Sequence, residues 1–228
     1  PLTFSVIIGT VAFYGLTTPW ASKILGVADQ NPQGILFIGA PVWVRAISKV
    51  LTERGFKVLM IDTNRQNVRD ARMAHLPALS DNILTLNDVS SLDIRGIGRV
   101  FATTPNDEVN TLALQRFKGL FESSNLYQLP TKRHKKSSED SSHDRSWRTL
   151  FGPDADYAGL ESRIKNGWIV KATTISEEFL TLYGSSALPL FTINPGGTMV
   201  VSSDTKFVQP TPGDTVIALV NPESLFVL

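Results

Sequence analysis

The chain has 228 residues, 42% of them hydrophobic, which is enough for one full core and a small second one. Its 22 basic and 21 acidic residues give a formal charge of +1, so no global field steers it toward nucleic acid. Cysteine is absent, which excludes disulfides, thiolate catalysis and cysteine metal sites.

The first residue is Pro1, so the sequence is read as a piece of a longer chain with part of the function upstream. No charged residue occurs from Pro1 to Ser22, and Lys23 ends that stretch. Its length is near the roughly 20 residues that cross a bilayer, with Pro19 breaking the end and Trp20 suited to the headgroup zone. A buried helix of a soluble core is the competing reading. A signal peptide is disfavoured, because no basic residue precedes the apolar run and no cleavage site is clear.

After the polar connector ADQNPQG the pattern alternates between strand and helix. GILFIG is a continuous apolar run, as expected of a parallel strand covered on both faces. PVWVRAISKVLTERG reads as a helix, with Pro41 at its start, Val44, Ile47 and Leu51 on one face and Gly55 closing it. KVLMID is a second strand, and NRQNVRDARMAHL a second helix capped by Thr63 or Asn64. A weak strand is expected near PALSD and a short helix within NDVSSLDIRGIG. RVFAT is the next strand, followed by a helix starting around Thr104, Pro105 and Asp107, and NLYQL is a fifth strand. Strands separated by helices of 10 to 15 residues argue for an α/β, doubly wound parallel sheet of the Rossmann class.

The polar run TKRHKKSSEDSSHDRSWR, within 131–149, cannot bury enough apolar surface to order itself and is read as a flexible charged linker. Beyond it, GWIVKATTI predicts a strand and SEEFLTLYG a helix between Ser176 and Gly184. LPLFTI and TMVVSS predict a hairpin across NPGG, and TVIALV a last strand after TPGD. The expected organisation is the end of a transmembrane helix over 1–28, a Rossmann-like domain over 33–130, the linker, and a small α+β subdomain over 150–228.

Gly39 ends the first strand where a helix begins at once, a geometry in which backbone N–H groups and the helix dipole favour phosphate. Asp62 follows 23 residues later at the tip of the second strand, where a carboxylate can accept from ribose hydroxyls. The rest of the G-x-G-x-x-G fingerprint is missing. Pro41 removes an N–H that phosphate would use, and Val44 puts a branched side chain where glycine or alanine is usual. A mononucleotide site and a scaffold that has lost its ligand both remain as readings.

Asp107 and Glu108 are read first as partners of a helix dipole and second as contacts to a ligand or cation. Asn106 and Asn110 suit either a polar ligand or a turn. Trp43 is either core or a cover for a nucleotide. KRHKK reads as solvated linker charge, or as a contact to anionic lipid. His134 and His143 fall in the linker and His75 ends a helix, so no metal site is expected. No nucleophile–base set or P-loop lysine is present, so enzymatic activity is not expected.

The order of parts, from VIIGTVAFYGLTTPWASKILGV through NPQGILFIGAPVWVRAISKVLTERGFKVLMIDTNRQNVRDARMAHLPAL, resembles the C-terminal region of NhaP-type sodium/proton antiporters that carry a regulator-of-potassium-conductance (RCK, TrkA-N-like) domain. TPNDEVNTLA and LPLFTINPGGTMVVSSDTKFVQPTPGDTVIAL extend the similarity over nearly the whole chain. The resemblance implies a regulatory domain on the cytoplasmic side of the bacterial inner membrane, attached to its own transmembrane transport domain through the N-terminal segment and pairing with a second copy. It implies sensing of an ion or a nucleotide, NAD(H) or an adenine nucleotide, at a crevice lined by Gly39, Ala40, Asp62, Thr63, Thr103 and Asn106. Two alternatives remain: a regulatory NAD-binding subunit of a potassium-uptake system, and an NAD-dependent oxidoreductase.

Overall fold

A computed structural model describes residues 2–24, 32–86, 89, 92–131, 147–153, 155–176, 187–204 and 209–222. The chain divides into two units, Pro1–Pro32 and Gln33–Leu228.

The first unit is a helix, α1 (Leu2–Ile24), of 23 residues and about 35 Å at 1.5 Å per residue. Phe4, Ile8, Val11, Phe13, Tyr14 and Leu16 are all exposed and fall all round its circumference. The hydroxyls of Thr10, Thr17 and Thr18 donate to the carbonyls of Val6, Phe13 and Tyr14 at 2.7, 2.7 and 2.5 Å, so these polar groups need no outside partner. The segment expected to be the end of a transmembrane helix is helical, but a membrane span is not shown. Among the described residues, no helix is long and apolar enough to cross a membrane.

The second unit contains two sheets. The first takes β1 (Gly34–Ile38), β2 (Val58–Asp62), β3 (Ala78–Ser80), β4 (Ile97–Ala102), β5 (Leu126–Gln128) and β6 (Arg148–Thr149) in the order β3-β2-β1-β4-β5-β6. Every pairing in it is parallel. All five residues of β1 are buried, as its unbroken apolar run requires of a strand covered on both faces. The connecting helices are α2 (Val42–Glu53), α3 (Arg65–Met73) and α4 (Asp107–Phe117). This is the expected α/β Rossmann architecture. β6 is an addition, since Arg148 and Thr149 were read as the end of the linker and two residues are too few to carry a periodicity.

The second sheet is antiparallel, in the order β7-β10-β8-β9, with β7 (Ile169–Thr174), β8 (Ala187–Ile193), β9 (Met199–Val201) and β10 (Thr215–Val220). These strands and the β8–β9 hairpin are as predicted. A further helix, α5 (Tyr157–Lys165), precedes β7 and was not predicted. The helix expected after Ser176, most of the linker and residues 87, 88, 90 and 91 of the segment expected to hold a short helix before β4 lie outside the described residues.

Both sheets share one core. Ile35, Phe37, Met60, Phe101 and Tyr127 of the first sheet cluster with Trp43 and Leu51 of α2 and with Leu190, Phe191 and Ile217 of the second. Phe101 is central, with ring centroids of Tyr127, Phe37 and Phe191 at 5.0, 5.3 and 6.1 Å. On the other face Leu36, Ile61, Val100 and Leu126 meet Ala113, Leu114 and Phe117 of α4. The C-terminal sheet thus does part of the covering that helices do in a doubly wound fold. A polar clasp adds to it: Arg99 on β4 donates to the Gln33 carbonyl (3.2 Å), the Gln33 Oε1 (3.1 Å) and the Met199 carbonyl (2.8 Å).

Candidate functional site

The strand order reverses between β1 and β4, so a crevice opens at the carboxyl ends of these two strands. Gly39 leaves β1 with φ of +104°, and a Cβ there would lie 3.2 Å from the Thr103 carbonyl oxygen. The close approach of the β1 and β4 tips therefore needs glycine. Thr103 is fully buried, and its hydroxyl donates to the Ile38 carbonyl at 2.9 Å, which commits it to holding those tips together.

Asp62, at the tip of β2, is already engaged. Its Oδ2 accepts from the Ala40 N–H at 2.7 Å and from Asn67 Nδ2 at 2.8 Å, and its Oδ1 accepts from the Asn64 N–H at 2.8 Å. Arg45, one turn into α2, donates to the Ala40 carbonyl (2.7 Å) and to Asn67 Oδ1 (3.5 Å), and pairs with Asp70 at 3.3 Å. Hydrogen bonds therefore form a closed ring through Ala40, Arg45, Asn67 and Asp62. The two groups expected to hold a nucleotide, the Ala40 amide for phosphate and the Asp62 carboxylate for ribose, hold each other.

A cavity of about 410 Å³ is lined by Asn106, Asp107 and Glu108 after β4, by Pro130 after β5, and by Asp156 and Tyr157, among others. Asn106 caps α4 by accepting from the Val109 N–H at 2.9 Å, and Asp156 caps α5 by accepting from the Gly159 N–H at 2.8 Å. Tyr157 stands edge-on to Trp43, with centroids 6.3 Å apart. Burial raises the Tyr157 hydroxyl pKa, with further rises from the charges of Glu161 and Asp62.

Of the expected residues, Gly39, Ala40, Asp62 and Thr103 come together, and Asn106 lines the cavity. Thr63 is exposed beside Asp62. Asn110 is buried, and it binds the Thr104 N–H and hydroxyl through Oδ1 and the Thr104 carbonyl through Nδ2, so it shapes the loop after β4. Trp43 is core, 1% exposed, with its indole N–H unpartnered. Among the described residues no group of three or more acidic or histidine side chains is placed to hold a metal. Sequence reasoning missed Arg45, Asn67, Asp156 and Tyr157. Asp156 had a local signal, a cap residue followed by helix formers, but nothing local told that α5 would reach the cavity.

Residues 35–137 match the TrkA-N domain family. No curated protein matches the chain. Similar solved structures include the NAD(P)-binding domain of an exopolyphosphatase-related protein from Archaeoglobus fulgidus, at 19% identity and a TM-score of 0.43, covering 59% of this chain and 98% of that one. The GsuK RCK domain aligns at 12% identity and a TM-score of 0.40, over 85% of this chain and 45% of that one. The GsuK channel bound to NAD aligns at 10% identity and a TM-score of 0.39, over 98% of this chain. This chain spans 45% of the length of either GsuK chain. Residues 35–137, which hold nearly all of β1 through β5, have a Rossmann fold and match the TrkA-N domain family.

Proposed function

We propose that the chain is the regulatory part of a monovalent-cation/proton antiporter, in which a nucleotide held at the β1–β2–β4 crevice biases transport. The observation that carries the reading is the order of parts. An apolar helix in which Thr10, Thr17 and Thr18 satisfy their own hydroxyls precedes, by a short connector, a TrkA-N sheet with an aspartate at its β2 tip. A helix apolar all round needs apolar surroundings, and a membrane transport domain supplies them. The ligand in this reading is NAD(H) or an adenine nucleotide, with Asp62 on its ribose. The domain senses without catalysing, pairs with its own copy, and faces the cytoplasm from the inner membrane. Regulation follows if the ligand binds one conformational state better than the other.

The assignment is tested by expressing the chain with its upstream sequence in bacteria lacking their own antiporters. Growth at high sodium or potassium and cation-driven proton exchange in inside-out vesicles should return, and absence of exchange sinks the antiporter assignment. For the ligand, the thermal midpoint should rise with at least one of NAD, NADH, ATP, AMP or a cyclic dinucleotide, and Asp62→Ala should remove the rise. A second reading, a dissociable subunit of a potassium-uptake system, is favoured by the compact unit that begins at Gln33 and holds the whole sheet.

A further inference from the structure

β9 is three residues long and lies at an edge of the second sheet. The Thr198 carbonyl accepts from the Asn194 N–H at 3.1 Å and the Ser202 N–H donates to the Leu190 carbonyl at 3.0 Å, so these groups face β8. Alternation along an antiparallel strand turns the N–H and carbonyl of Met199 the other way, to the open edge. There the Met199 N–H donates to Gln33 Oε1 at 3.1 Å, and its carbonyl accepts from Arg99 Nη2 at 2.8 Å. Arg99 also donates to both oxygens of Gln33, the carbonyl at 3.2 Å and Oε1 at 3.1 Å. The three residues close a clasp that fastens β9, β4 and the residue before β1. A second fastening of this strand is strained, because Phe151, whose N–H donates to the Ser202 carbonyl at 2.8 Å, holds φ of +58°.

Gln33 is the first residue of the compact second unit, so the chain arriving from α1 enters the domain at the clasp. Five residues of β1, at about 3.3 Å each, put the clasp about 17 Å from Gly39 and the crevice. A ligand in the crevice acts on it only through the packing between. A packed path joins the two ends: Tyr157 of α5 stands edge-on to Trp43 at the start of α2, and α5 leads through β7, β10 and β8 to β9. We propose that the Gln33–Arg99–Met199 clasp is the output of the domain, where a shift of the second sheet against the first is passed to the chain before Gln33 and so to the transport domain. The inference rests on the transporter reading above.

The test uses the chain with its upstream sequence and measures cation-driven proton exchange in inside-out vesicles, per amount of protein and with no ligand added. Gln33→Ala removes the side-chain acceptor and loosens the clasp. Gln33→Glu keeps the acceptor and gives Arg99 the carboxylate it lacks among the described residues, which tightens the clasp. Arg72→Ala takes a donor from the Ala78 carbonyl on β3, at the far edge of the first sheet, and controls for lost stability alone. The two Gln33 variants should shift the exchange rate in opposite directions and differ by about fivefold or more, with Arg72→Ala at the unsubstituted rate. Shifts in the same direction, equal rates, or a change in Arg72→Ala as large as in Gln33→Ala overturn the inference and leave the transporter reading standing. Should Gln33→Ala fail to fold, Gln33→Glu decides alone, and an unsubstituted rate there overturns the inference. If the unsubstituted protein performs no exchange, both fall.

Discussion

Gly34 and Gly39 stand at the two ends of β1 and resist a side chain for different reasons. A Cβ on Gly34 would lie 2.4 Å from the Gly96 carbonyl oxygen and 2.8 Å from that of Lys57, both backbone atoms that cannot swing aside. At Gly39 the contact is looser, 3.2 Å, but φ is +104°, where side chains of L-residues are strained. Gly34→Ala should cost about 2–3 kcal/mol through overpacking, and Gly39→Ala about 1–2 kcal/mol through strain. Urea denaturation of both variants measures this, and two losses below half a kcal/mol would contradict the geometry. Only Gly39 was legible in the sequence, because a glycine between strand and helix has a known use. The crowding at Gly34 comes from Lys57 and Gly96, which are distant in sequence.

At the scale of elements, α4 shows how a helix start becomes the wall of a site. Asn106 caps it, and Asn110, one turn on, is folded back under the loop to take the N–H, hydroxyl and carbonyl of Thr104. Asn110→Ala removes all three bonds and leaves part-buried Thr104 backbone groups without these partners, a loss of about 1–3 kcal/mol. Nucleotide binding should weaken with it, because the loop from Thr104 to Glu108 shapes the cavity. Stability and affinity measured on the same variant check this, and unchanged affinity would separate the loop from the site. The sequence marked both asparagines as polar candidates and could not rank them, since a ligand and a loop carbonyl ask for the same amide. The strands were read from their apolar runs. α5 was missed because its pattern is mixed, with Leu160 its one fully buried residue.

For the molecule as a whole, the shared core has a consequence for unfolding. Phe101 of the first sheet and Phe191 of the second stack with planes 2° apart, and Arg99 ties β4 to β9. Neither sheet can lose its partner without exposing that face. Unfolding from Gln33 onward should therefore be a single transition, coincident by tryptophan fluorescence and by circular dichroism. Arg99→Ala, which leaves the Gln33 and Met199 carbonyls without this donor, should lower the unfolding free energy by about 2–3 kcal/mol without splitting the transition. Two separated transitions would show that the sheets fold independently.

The sequence by itself determined the strand and helix order, the parallel class of the first sheet, the β8–β9 hairpin and the pairing of Gly39 with Asp62 at one crevice. All of these follow from local periodicity and turn chemistry, which each stretch carries within itself. Tertiary structure decided that the second sheet shares the core of the first, that β6 joins beyond the linker, that α5 brings Tyr157 to the cavity beside Asn106 and against Trp43, and that Asp62 spends its carboxylate on the Ala40 amide. Those outcomes depend on which surfaces and acceptors meet across 20 to 100 residues of chain, and no local pattern encodes a partner at that distance.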